Sequence, residues 1–145
     1  MGIKHFIRRN PIFWESKQTR GWPGVPDLYR IYRKLNRKWF KGRLPDADIY
    51  WTIFYDPKQD GQTYAMEDEK GKYSGTGIFI AWHLCGSGAQ LDQTMIHEMV
   101  HVEELVEARK SGSKLESISE KKAHGPKFWR RMSQLMSAGA FKGIL

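Results

Sequence analysis

At 145 residues, with 40% hydrophobic and 13% aromatic residues, the chain is long enough for one packed domain and too apolar for a disordered one. No apolar run reaches the length of a membrane span, and a single cysteine, Cys85, excludes an intramolecular disulfide framework and a cysteine-based zinc ribbon. The net charge of +8 is uneven: residues 1–45 carry twelve Lys/Arg against Glu15 and Asp27, the rest twelve against fourteen acids.

Residues 1–26 contain Gly21, Pro11, Pro23 and Pro26 and show no clear period, which predicts an irregular, basic, aromatic-rich arm. The segment Met1 to Phe6 lacks the apolar stretch of a secretory signal, and with one cysteine this gives an intracellular, cytoplasmic expectation without membrane contact. His5 reads as a bystander and Cys85 as a small packed thiol.

Asp27 can cap a helix that runs to about Lys41, with Leu28, Ile31, Tyr32 and Leu35 facing inward and Gly42 ending it. Arg30, Arg33, Lys34, Arg37 and Lys38 then share the solvated side. Among the nearby aromatic residues such a basic block suits nucleic acid, through release of counterions from phosphates and stacking on bases.

Asp48 to Tyr55, Thr63 to Met66 and Gly75 to Trp82 are rich in β-branched and aromatic residues and predict three strands, with turns at Asp56-Pro57, Asp60-Gly61 and Glu67 to Gly71. Leu91, Met95, Met99, Val102 and Leu105 recur at helical spacing, with Ser87 or Gly88 at the start and Arg109-Lys110 before Gly112 at the end. Residues 111–123 are polar and long for a connection, which suggests a mobile functional loop. Pro126 in a first turn and Phe128, Met132 and Leu135 after it predict a last helix. The expected fold is α+β: a small three-stranded sheet packed with an N-terminal helix, a metal-binding helix and a C-terminal helix, the globular part spanning 27–145.

The chemistry is concentrated in His97-Glu98-Met-Val-His101 and, after 22 intervening residues, His124-Gly125-Pro126. Imidazoles four apart on a helix point the same way and can hold two corners of a tetrahedral zinc. The carboxylate of Glu98 flanks that site and can take a proton from water there. His124, in the loop feeding the last helix, supplies a third nitrogen, and the helix N-terminus beside it favours a neutral ring. Three protein ligands leave a fourth position open, which separates catalytic zinc sites from structural ones. One catalytic Zn2+ is therefore expected, with Tyr64, Tyr73, His83 and the Lys/Arg near the cleft as candidates to steady an oxyanion. A strand beside the metal helix would leave an edge that an extended peptide can join.

Tyr32-Arg-Lys-Leu-Asn36 through Phe40-Lys-Gly42-Arg-Leu44-Pro45, then Thr94-Met-Ile-His97-Glu98-Met-Val-His101, then His124-Gly125-Pro126-Lys-Phe128, resemble three motifs of SprT-like domains, in their order. The resemblance covers about residues 27–136. It implies a zincin-like, Spartan-type zinc metalloprotease domain, here without a C-terminal zinc ribbon. In it His97, His101 and His124 bind zinc, Glu98 is the acid/base, and the substrates are DNA-bound or DNA-crosslinked proteins. Two alternatives carry different expectations: a non-catalytic zinc-containing DNA-binding module, or a regulatory protease for one protein partner without DNA.

Overall fold

The computed structural model describes residues 7–70, 73–110 and 124–141. Asp27 accepts a hydrogen bond from Tyr29 N and starts helix α1, Leu28–Trp39. Leu28, Tyr29, Tyr32 and Leu35 are buried; Ile31 is half-buried. The helix stops where Lys41 and Gly42 take positive φ values of 56° and 70°, a conformation glycine adopts freely. Asn36 then clips the outgoing chain, donating to Leu44 O at 3.0 Å and accepting from Leu44 N at 3.2 Å.

The sheet has four strands rather than the three expected from sequence, in the order β1-β2-β4-β3. They are β1 Phe13–Glu15, β2 Asp48–Thr52, β3 Gly61–Glu67 and β4 Tyr73–Ala81. β1 lies antiparallel to β2, β2 parallel to β4, and β3 antiparallel to β4. The additional strand comes from the segment read as an irregular arm. Three residues are too few to display an alternation, and β1 is fixed by tertiary contacts instead. Trp14 pairs with Trp51 and packs its ring 4.9 Å from Trp82. A 3-10 turn, Ser16–Thr19, follows, and Ser16 Oγ accepts from Leu28 N at 3.2 Å, tying the segment to α1.

Helix α2, Gly88–Lys110, is preceded by a 3-10 turn at Trp82–Leu84; helix α3 is Pro126–Ser137. The α2 side chains Leu91, Met95, Ile96, Met99, Val100 and Val102 are all buried, a wider stripe than one face provides. The helix lies between the sheet and its two neighbouring helices, so it buries residues on more than one side. With Trp51, Ile49, Ile78, Ile80 and Phe128 these form the core, each large side chain contributing about 1.5–3 kcal/mol by leaving water. No helix among the described residues is long and apolar enough to cross a membrane. The loop expected at 111–123 lies outside the described residues, as does His5.

Candidate metal centre

His97 and His101 project from the middle of α2, and His124 from the turn before α3, where Gly125 caps the helix and Pro126 occupies its first turn. The rigid helix sets the first two; the docking of α3 sets the third. His124 Nε2 lies 3.3 Å from His97 Nε2 and 3.2 Å from His101 Nε2. A tetrahedral zinc with Zn–N bonds of about 2.0–2.1 Å separates its ligand atoms by about 3.3 Å. Both separations match that spacing, and all three residues offer ligand atoms within 4.8 Å of one another, so the set can hold a metal ion. Among the described residues no fourth His, Cys, Asp or Glu joins the cluster.

Phe128 is what the three rings pack on. It is fully buried, stacked on His101 at 4.6 Å and 13° between planes, with His97 at 4.9 Å and His124 at 5.1 Å. Sequence periodicity gave Phe128 only a core role. Its position in the first turn of the helix that His124 leads into was the signal for more.

Ion pairs hold α3 against α2. Arg131 Nε meets Glu103 Oε1 at 2.8 Å, Arg131 Nη2 donates to Trp39 O at 3.4 Å, and Lys127 pairs with Glu107. The Lys127 pair is exposed and contributes little; the Arg131 pair is mostly shielded and joins α1, α2 and α3. Glu104, unnoticed in the sequence, sits three residues after His101. Its Oε1 is buried without a hydrogen-bond partner, 3.9 Å from His101 Nδ1. A ring that binds metal through Nε2 carries its proton on Nδ1, facing this carboxylate.

Glu98 is 4% exposed and points at β3. Thr63 Oγ1 lies 2.9 Å from its Oε1, and Gly61 is the residue beside its Oε2. Burial pushes the Glu98 carboxyl up to about 8, partly offset by the Thr63 hydrogen bond. Burial also lowers His97 to about 4 and His101 to about 3, with the neighbouring imidazoles adding to it. Glu104 is raised to about 7, mainly by burial, against the pull of Lys127. Imidazoles held neutral are the form that binds metal.

These shifts carry a stability prediction for the metal-free chain. Unfolded, His97 and His101 take protons below 6.5; folded, only near 4 and 3, so acid destabilises from 6.5 down to about 3. Glu98 runs the other way: folded it keeps a proton up to about 8, unfolded only below 4.5, so its contribution fades as pH rises through 8. Above 6.5 the histidine effect is spent, and stability should fall with rising pH, with Glu104 sharing the decline only up to about 7. Denaturant titrations at about pH 7 and about pH 8.5 should show this fall in the wild type and little of it in Glu98→Gln. An equal fall in both proteins would contradict the assignment.

The remaining sequence candidates are placed as follows. Arg30, Arg33, Lys34, Arg37 and Lys38 are all exposed along α1. A cavity of about 520 Å³ lies beside them, away from the histidines, lined by Lys34, Lys38, Asp92 and Ile96. Tyr64 is buried on the sheet face opposite Thr63, edge-on to Phe79, so it is turned away from Glu98 and does not serve as an oxyanion donor. The side chain of Tyr73 is outside the described residues. The strand expected to reach Trp82 ends at Ala81, and His83 stands in the 3-10 turn after it, paired at 2.8 Å with Asp60. Cys85 is half-buried, its thiol pushed up by burial, and stands outside the histidine cluster.

No family model, no curated protein and no solved structure matches this chain.

Proposed function

We propose that the protein is a zincin-like, zinc-dependent metallopeptidase acting on protein substrates, DNA-bound or DNA-crosslinked proteins among them. The observation that carries this is the convergence of three imidazole nitrogens, with no fourth protein ligand among the described residues, on a helix that carries a buried carboxyl at the residue following His97. A structural site normally closes with a fourth protein ligand and has no use for Glu98. The motif resemblance to SprT-like domains supports the same reading.

His97, His101 and His124 hold the ion, with Phe128 packed against all three rings and Glu104 facing the Nδ1 side of His101. When bound, zinc supplies Lewis acidity towards the scissile carbonyl and water and, as a nearby dication, favours the ionised form of Glu98. Glu98 takes a proton from the attacking water at a carboxyl oxygen and delivers it to the leaving amine. β3 is the outer strand beside α2. Ala81 N bonds to Asp60 O at 2.8 Å, so by antiparallel alternation Gly61, Thr63 and Ala65 turn their backbone groups to the open edge. An extended polypeptide can pair there, which holds many sequences across the site with little demand on side chains.

The exposed cations of α1 support contact with DNA, and α3 adds exposed Lys127 and Arg130. The test is cleavage of a DNA-binding protein by the zinc-loaded chain with and without single-stranded DNA. DNA-stimulated cleavage is expected. Neutralising Arg30, Arg33, Lys34 and Arg37 should reduce the salt slope of single-strand binding by roughly 3 in log–log terms. DNA-independent cleavage would leave a peptidase for a dedicated protein partner. An unchanged slope would remove α1 as the DNA face, and zinc binding without cleavage would favour a non-catalytic module.

A further inference from the structure

Two residues of β3, two apart and on the face turned to α2, meet the side chain of Glu98. Thr63 Oγ1 lies 2.9 Å from Glu98 Oε1 and 3.1 Å from the Glu98 main-chain oxygen. At Gly61, an added Cβ would stand 2.9 Å from Glu98 Oε2, 3.0 Å from Thr94 Cγ2 and 3.1 Å from Glu98 Cγ. One position supplies a hydroxyl and the other withholds a side chain.

We propose that Thr63 is a positioning residue that fixes the orientation of the Glu98 carboxyl group, and that glycine at 61 keeps free the space Oε2 occupies. The proposal rests on the peptidase reading for what Glu98 does, while the contact itself stands apart from it.

A hydroxyl has one hydrogen to give and lone pairs to accept with. Facing a carboxylate, Thr63 donates to Oε1. Facing a protonated carboxyl, it accepts from Oε1 and turns its hydrogen to the Glu98 main-chain oxygen, 3.1 Å away. The same heavy-atom arrangement therefore serves before and after Glu98 takes a proton, and only one hydrogen rotates. Glu98 is 4% exposed, so solvent does not stand in for a missing hydroxyl. Threonine suits the task because its β-branched side chain is stiff, and the strand beneath it is paired with Ile78.

The test compares Thr63→Val, Thr63→Ser and Gly61→Ala in the full chain, zinc-loaded for kinetics and metal-free for stability. Thr63→Val should lower kcat roughly 10- to 100-fold, with KM and zinc affinity within about two-fold of wild type. Thr63→Ser should recover most of the rate, and Gly61→Ala should lose kcat with its hydroxyl partner intact. In the metal-free chain, Thr63→Val should lower Tm by roughly 3–10 °C when Glu98 is present, and by less than about 2 °C in a Glu98→Met background. The difference arises because methionine leaves no carboxyl unpaired. Equal Tm shifts in the two backgrounds, or a Thr63→Ser protein as slow as Thr63→Val, would overturn the role of Thr63; wild-type kcat in Gly61→Ala would overturn that of Gly61. Should the wild type turn over no substrate, the peptidase reading falls, and the two-background Tm comparison decides the contact by itself.

Discussion

Replacing Glu98 by glutamine should leave one zinc bound per chain and lower turnover by roughly 10²–10⁴-fold. Glutamine has the shape of glutamate and keeps an oxygen for the Thr63 hydroxyl, so the packing against Gly61 and Thr94 survives. What it loses is the capacity to take a proton from water and pass it on. The three imidazoles are untouched, because Glu98 faces β3 and makes no hydrogen bond with them among the described residues. Zinc content by elemental analysis and initial rates on one substrate check both halves. A zinc-loaded Glu98→Gln protein with wild-type rates would remove Glu98 from the chemistry.

The second large effect is expected at His124. His97 and His101 share a helix and persist as a pair whatever α3 does, but two nitrogens make a weak and unselective site. His124→Ala removes the donor that closes the cluster and should weaken zinc binding by more than roughly 100-fold, above the effect of losing an outer partner. The metal-free fold should be nearly unaffected, since His124 is exposed and the α3 contacts run through Phe128, Arg131 and Lys127. Competition against a chromogenic chelator gives the affinity and circular dichroism the fold. Unchanged affinity would assign the third ligand to another residue.

The contrast between these residues and their neighbours shows what was legible beforehand. The α2 histidines could be read because a helix repeats locally, and four residues on is one turn on. The same holds for α1, whose inward Leu28, Tyr32 and Leu35 and outward cations follow one period. β1 could not, because three residues carry no period and its pairing with Thr52, Trp51 and Tyr50 joins segments far apart in the chain. Strand ends moved for a similar reason. Ile53 and Tyr55 continue the β-rich composition, yet they lie past the end of β2 at Thr52, and Tyr55 N is instead taken by the Asn10 side chain at 2.7 Å. At the site, Thr63 and Gly61 looked like ordinary strand and turn residues. Only the docking of β3 on α2 gives them a carboxyl to face, and docking leaves no local trace. Glu104 and Phe128 lay nearer to view, one three residues after His101 on its helix and the other in the first turn after His124, but a core role already accounted for Phe128 and nothing local singled out Glu104.

Zinc-edge X-ray absorption on the zinc-loaded full chain tests most directly the claim on which the account depends, that three histidines hold one zinc with a position left for water. The prediction is three imidazole nitrogens and one additional light oxygen scatterer, at about 2.0–2.1 Å for the nitrogens. A fourth imidazole, or a sulfur at about 2.3 Å, would mean a closed structural site and contradict the catalytic assignment.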